Sequence, residues 1–247
     1  MKHFGKQHPH GILFSILSHK SDFVNFSYAN THSCCCKRLV CMRNPEIICR
    51  AAFGVLIKTI SFIKSLPSFQ NLVLNDQLVL VENRWVLLFL LGLAQEQVVF
   101  EVRNFPAASI LRNILTNGQQ KFDDCPPTLE EVHKLKTFLH KVSSLDLSLK
   151  EYSCLKGAIL FSQGPQDLPG LRSSAVMAGL QQEAQRALQM LILSHPHPRD
   201  QRTFMDMLFM ASALQIEAQS LVKELFFRPI AGQMDLHALL YEMIVKK

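Results

Sequence analysis

The chain holds seven cysteines and ten histidines, the residue types that bind zinc or act as nucleophile and base in hydrolysis. Three cysteines are adjacent, Cys34, Cys35 and Cys36, and Cys41 and Cys49 follow. Structural zinc sites take their thiolates in pairs such as C-x-x-C, whose short loop turns both sulfurs toward one ion. No C-x-x-C occurs anywhere in the chain, so no metal site is expected. An odd cysteine count with adjacent thiols suits a reducing compartment better than a disulfide framework. Cys154 beside a histidine would make a hydrolase nucleophile, but it stands at helical spacing with Leu155 and Ile159 and reads as a packing residue. His195 and His197, alternating with Pro196 and Pro198, mark a loop. There is no G-x-S-x-G elbow, phosphate-binding glycine loop, H-E-x-x-H pair or dinucleotide fingerprint. The chain is expected to be no enzyme, with no catalytic residues and no cofactor.

A second chemistry, electrostatic capping of a docked helix, is open to Lys64 and Glu242. Lys64 lies in the last turn of a stretch in which Ala52, Val55, Leu56, Thr59, Ile60, Ile63 and Leu66 recur at steps of three and four. That period builds one apolar stripe on an amphipathic helix, and Pro67 stops it. Leu78 and Glu82 are four apart, hence on one face of the next helix. After Arg84 this helix is apolar all round to Leu93, so it must be covered on every side, as in the middle layer of a helical sandwich. If the terminal helix around Leu239 to Ile244 folds back alongside, Ile60, Leu78, Val81, Leu239 and Met243 line an apolar groove. Lys64 then stands at one end and Glu242 at the other. A short helix laid there would meet the lysine with its free carbonyls and the glutamate with its free amides.

The chain also contains helices of the kind such a groove accepts. Leu13, Ile16 and Leu17, and again Leu111, Ile114 and Leu115, follow L-x-x-I-L, which puts three apolar side chains on one helical face. Both are candidate partner-docking motifs; the second also reads as core packing, because its short helix lies inside the domain. Leu236, Leu239 and Leu240 spell L-x-x-L-L but fall in the terminal helix and read as structural.

At 247 residues the chain is long enough for one large domain with a sizeable core. Residues 1–44 carry five of the histidines and the cysteine triplet around one apolar hexad, Ile12 to Leu17, and read as a mobile arm. Residues 45–247 read as a single domain. The longest apolar run, from Trp85 to Ala94, is shorter than the ~20 residues of a membrane span, and no span or secretory signal is expected. The net charge of +6 comes from scattered lysines and arginines, with no basic run longer than two residues. Direct DNA contact needs clustering and is not expected. Val98 to Val102 form the one strand-like run, half of a small hairpin. Helices are expected over Ile110 to Leu115, Leu129 to Val142, Ser148 to Leu160, Ser173 to Leu193 and Arg199 to Phe226, with Arg228-Pro229 breaking the chain before the terminal helix.

Phe62, Lys64, Pro67, Phe69, Asp76, Gln77 and Trp85, followed much later by LLYEMI at Leu239 to Ile244, resemble the ordered signature of the nuclear receptor ligand-binding domain. CLKGAILF (Cys154 to Phe161) and LFFRPI (Leu225 to Ile230) look like the atypical orphan receptors that lack a DNA-binding domain. The resemblance implies an all-α, three-layer antiparallel helical sandwich with one small β-hairpin, located in the nucleus and also the cytoplasm. It implies that Lys64 and Glu242 form the charge clamp of a coregulator groove with Ile60, Leu78, Val81, Glu82, Leu239 and Met243, and that L-x-x-I-L is a variant of the coactivator pattern. It further implies a transcriptional corepressor that binds other nuclear receptors, recruits corepressors and histone-modifying complexes, and can homodimerise. The rival expectation is a ligand-regulated domain that binds coactivators in its own groove. Against a steroid-type ligand, Gly92 and Leu93 are followed by Ala94, Gln95 and Glu96, not by the arginine that anchors a polar ligand group. Whether a small molecule binds at all is left open, because seventeen phenylalanines and nine methionines can line a pocket or fill it.

Overall fold

The computed structural model describes residues 38–106, 127–162, 172–194, 218–232 and 235–246. Its elements are β1 (Arg38–Met42), α1 (Pro45–Ser65), α2 (Pro67–Gln70), α3 (Leu74–Gln95), β2 (Val102–Pro106), α4 (Leu129–Ser144), α5 (Leu149–Leu160) and α6 (Ser174–Leu193). A π turn (Lys223–Phe227) then runs into α7 (Arg228–Ala231), and α8 (Leu236–Val245) follows.

The helix boundaries follow from local chemistry. Leu66 is extended, as a residue before proline must be, and this separates α1 from α2. Capping boxes open α4 and α5: Thr128 and Ser148 each accept from the backbone amide three residues on, while Glu131 and Glu151 reach back to the cap amides. Arg228-Pro229 does not break the chain as expected. Proline is tolerated in the first turn of α7, and the break comes at Gly232, whose φ of 62° favours glycine.

α3 is the central helix. From Arg84 to Ala94 every residue is buried, and α1, α4 and α5 pack against it. By length and composition α3 also passes as a membrane span, yet 72% of its most apolar window is buried inside the protein. Its close approach to α1 depends on Gly92, where an added Cβ would come within 2.6 Å of Val55 Cγ1. Further along, Trp85 and Phe89 meet Phe226 and Phe227 of the π turn at ring separations of 5.4 to 6.2 Å. Phe53 and Phe100 close on the same pair of phenylalanines at 5.2 and 5.1 Å. Such edge-to-face stacking fills the interior densely.

Two long-range contacts were not anticipated. Asp76, fully buried near the start of α3, accepts the amides of Arg172 and Ser173 at 3.0 and 3.1 Å. A carboxylate there answers the free amides and positive dipole end of α6. Burial pushes the Asp76 carboxyl up, but these donors and the nearby Arg172 charge outweigh it and hold it below the usual carboxylate range. At the end of α5, Arg84 Nη2 donates to the Ser162 carbonyl at 2.8 Å.

The sheet corrects an expectation. The strand is Val102–Pro106, not Val98 to Val102, and its antiparallel partner is Arg38–Met42, in register from Arg38 opposite Pro106 to Met42 opposite Val102. The pair is therefore no hairpin, and residues 38–42, assigned by composition to an arm, are paired with the domain. Val40 and Met42 point into the core, as alternation along a strand requires.

Candidate functional site

The expected groove lies where α1 ends and α3 begins. Three side-chain amide bonds pin the turn between them: Gln77 Nε2 donates to the carbonyls of Phe69 and Leu72, both at 3.0 Å, and Gln70 Nε2 to Lys64 O at 2.7 Å. Ile60 and Val81 are buried, each 2% exposed; Leu78 and Lys64 are half-buried, and Glu82 faces solvent.

The terminal helix α8 crosses this region. Asp235 caps it, accepting from the amides of His237 and Ala238. Leu236, Leu240 and Ile244 are buried, with Leu239 and Met243 half-buried beside them. At its start, His237 Nδ1 stands 3.8 Å from Glu82 Oε1. At its end, Lys64 Nζ donates to the carbonyls of Met243 and Lys246 at 2.8 and 2.6 Å. The lysine therefore neutralises the carbonyl end of this chain's own last helix.

This geometry differs from an open trench with Lys64 and Glu242 at opposite ends. Glu242 is exposed and pairs with Lys246 Nζ at 2.6 Å, one turn along its own helix. That hydrogen bond and charge hold its carboxyl below the usual range. Leu239 and Met243 are half-buried on a helix that packs against α1 and α3. Within α8, Leu240, Met243 and Ile244 stand at i, i+3 and i+4, the spacing a docked helix presents. The spacing identifies the helix and its apolar face, but not the angle at which the helix returns. Leu236, Leu240, Ile244 and the capping Asp235 were missed as site residues. Their signal was the L-x-x-L-L of Leu236, Leu239 and Leu240, read as merely structural.

The two L-x-x-I-L motifs, Leu13, Ile16, Leu17 and Leu111, Ile114, Leu115, lie outside the described residues, as do Cys34 to Cys36, His195 and His197. Among the described residues no three His, Cys, Asp or Glu side chains gather as metal ligands. Cys49 is buried and donates to the Leu225 carbonyl at 3.7 Å, and burial pushes its thiol up to about 11. Cys154 is half-buried, and burial, then the Glu151 charge, raises its thiol. Both shifts run against the thiolate that nucleophilic chemistry needs.

Comparison with known proteins agrees with this architecture. Residues 41–229 match the family described as the ligand-binding domain of nuclear hormone receptor. The chain is 40% identical over 243 residues to nuclear receptor subfamily 0 group B member 2 of Rattus norvegicus, covering 95% of this chain and 92% of that one. It is 42% identical over 221 residues to the Homo sapiens member 2, covering 86% and 84%. Subfamily 0 group B member 1 of Pongo pygmaeus is 36% identical over 231 residues, which span 85% of this chain and 48% of the longer relative. The ultraspiracle ligand-binding domain from Drosophila melanogaster superposes with a TM-score of 0.53 over 80% of each chain at 19% identity, which speaks for the fold. On the matched residues, the helical fold and two relatives above 30% identity along most of their length, this chain belongs to the nuclear hormone receptor family, with homologues among the atypical orphan receptors that lack a DNA-binding domain.

Proposed function

We propose that this chain is a transcriptional corepressor that binds other nuclear receptors, occupying their coactivator grooves with its L-x-x-I-L motifs and bringing repressive, histone-modifying partners with it. It works in the nucleus and also in the cytoplasm, contacts no DNA itself, and is able to homodimerise. Support comes from its homologues in subfamily 0 group B and from one observation in particular. Lys64, the residue that would cap an incoming coactivator helix, already holds the carbonyls of Met243 and Lys246. That lysine is engaged by the chain's own terminal helix, which supports the reading in which the chain supplies the key over the one in which it is the lock.

The test is co-precipitation of the full chain with a panel of receptor ligand-binding domains. Leu13→Ala with Leu17→Ala is expected to weaken binding while circular dichroism stays unchanged. If binding survives, Leu111→Ala with Leu115→Ala is the next pair, and full binding after both changes refutes the motif mechanism. The rival, a ligand-regulated domain that receives coactivators, predicts that L-x-x-L-L peptides bind the isolated wild-type chain directly. It also requires that α8 first leave Lys64.

A further inference from the structure

Lys156 is a cation in an unusual place. It projects from α5 toward the crossing of α1 and α3, is 9% exposed, and has one hydrogen-bond acceptor among the described residues, Gln95 Oε1 at 2.6 Å. The rings of Phe62 and Tyr152 lie 5.5 and 6.0 Å from Nζ, attracting the charge but offering no acceptor oxygen. An ammonium has three N–H donors, and among the described residues one of them is matched; burial disfavours its charge more than the nearby Glu96 carboxylate restores it.

Beside it is a recess of about 160 Å³ lined by Lys58, Thr59, Gly92, Gln95, Glu96 and Lys156, among others. Gly92 forms part of its wall where α1 and α3 approach closely, a side chain there running into Val55 and Thr59. Lys58 Nζ and Glu96 Oε1 pair at 2.8 Å, so the recess carries two ammonium groups against one carboxylate. Thr59 gives its hydroxyl proton to the Val55 carbonyl at 2.8 Å and presents a lone pair. The surplus is in donors and in positive charge, a composition that suits an anion rather than a cation or an apolar group.

We propose that this recess binds a small oxyanion, a carboxylate or phosphate of acetate-to-phosphate size, gripped by Lys156 within and Lys58 at its edge. Bound there, the anion completes the hydrogen bonds of Lys156 and ties α1, α3 and α5 together. Because Lys58 and Lys64 share α1, occupancy stiffens the helix that carries the groove lysine.

The experiment is thermal unfolding of the full chain against sodium acetate and sodium phosphate, with sodium chloride as control at matched ionic strength. Wild type is expected to be stabilised saturably by either oxyanion and not by chloride. Lys156→Met keeps the aliphatic volume and loses the effect. Lys58→Gln lies on an exposed rim, leaves Glu96 facing the anion, and weakens the apparent affinity by about tenfold. Equal stabilisation by chloride, or an oxyanion effect that persists in Lys156→Met, overturns the site. Should Lys156→Met not fold, unchanged affinity in Lys58→Gln overturns it as well.

Discussion

Replacing Lys64 by alanine tests the hold on the terminal helix. In the structure its ammonium donates two charge-assisted hydrogen bonds, at 2.8 and 2.6 Å, to carbonyls at the end of α8. Bonds to a charged partner contribute about 1.5 to 3 kcal/mol each when buried. Lys64 is half-buried, so the lower end applies, and water replaces part of it, leaving about 2 to 3 kcal/mol for the pair. That corresponds to roughly thirty- to hundred-and-fifty-fold in the opening equilibrium of α8. The buried Leu236, Leu240 and Ile244 remain as anchors, so the helix loosens without the domain unfolding. The assay is amide hydrogen exchange followed by mass spectrometry on the segment 236–246. Its protection should fall by that factor in Lys64→Ala, while α3 and α5 exchange as in wild type. Lys64→Arg, which keeps the charge and its donors, should recover much of the protection. Unchanged exchange of 236–246 in a folded Lys64→Ala protein would refute the idea that the lysine clamps this chain's own helix.

Three further outcomes are expected. Asp76→Ala leaves the Arg172 and Ser173 amides without their acceptor and should cost about 2 to 4 kcal/mol in urea unfolding. The wild-type contribution is present above the unfolded carboxyl value near ~4 and is lost as pH falls through the lowered folded value, so the gap between wild type and variant should narrow in acid; a gap constant with pH argues against it. Cys49, with its thiol raised to about 11, is about a thousandth ionised at pH 8 by the ordinary titration relation, so iodoacetamide should label exposed Cys41 first; equal rates in native protein would contradict the burial. Gly92→Ala forces its Cβ onto the stiff Val55 side chain and should destabilise by about 1 to 3 kcal/mol; adding Val55→Ala should return part of that in a double-mutant cycle, and strict additivity would show the two do not meet.

The helices were legible because each was written by local rules. The three-and-four spacing along α1, Pro67 at its end, Thr128 and Ser148 before α4 and α5, and the all-round apolar face of α3 each act within one or two turns. A helix apolar on every side has to be central, so the layering came with it. The placement of Ile60 and Lys64 on α1 and of Leu78, Val81 and Glu82 on α3 was legible for the same reason: the two helices are joined by a short turn.

What tertiary structure alone decided are contacts between residues far apart in the chain. Arg38–Met42 pairs with Val102–Pro106, although the composition around the first strand suggested an arm. Asp76 reaches the start of α6, because a buried carboxylate settles wherever free amides point. Most consequential is the return of α8, in which Lys64 meets Met243 and Lys246 while Glu242 turns to Lys246. Periodicity fixes which face of a helix is apolar, but a ten-residue helix with one apolar stripe can lie on a given wall in more than one direction. The end that finds a cation for its unpaired carbonyls sets the direction, and that pairing spans 179 residues of sequence for Met243, a separation no local pattern encodes.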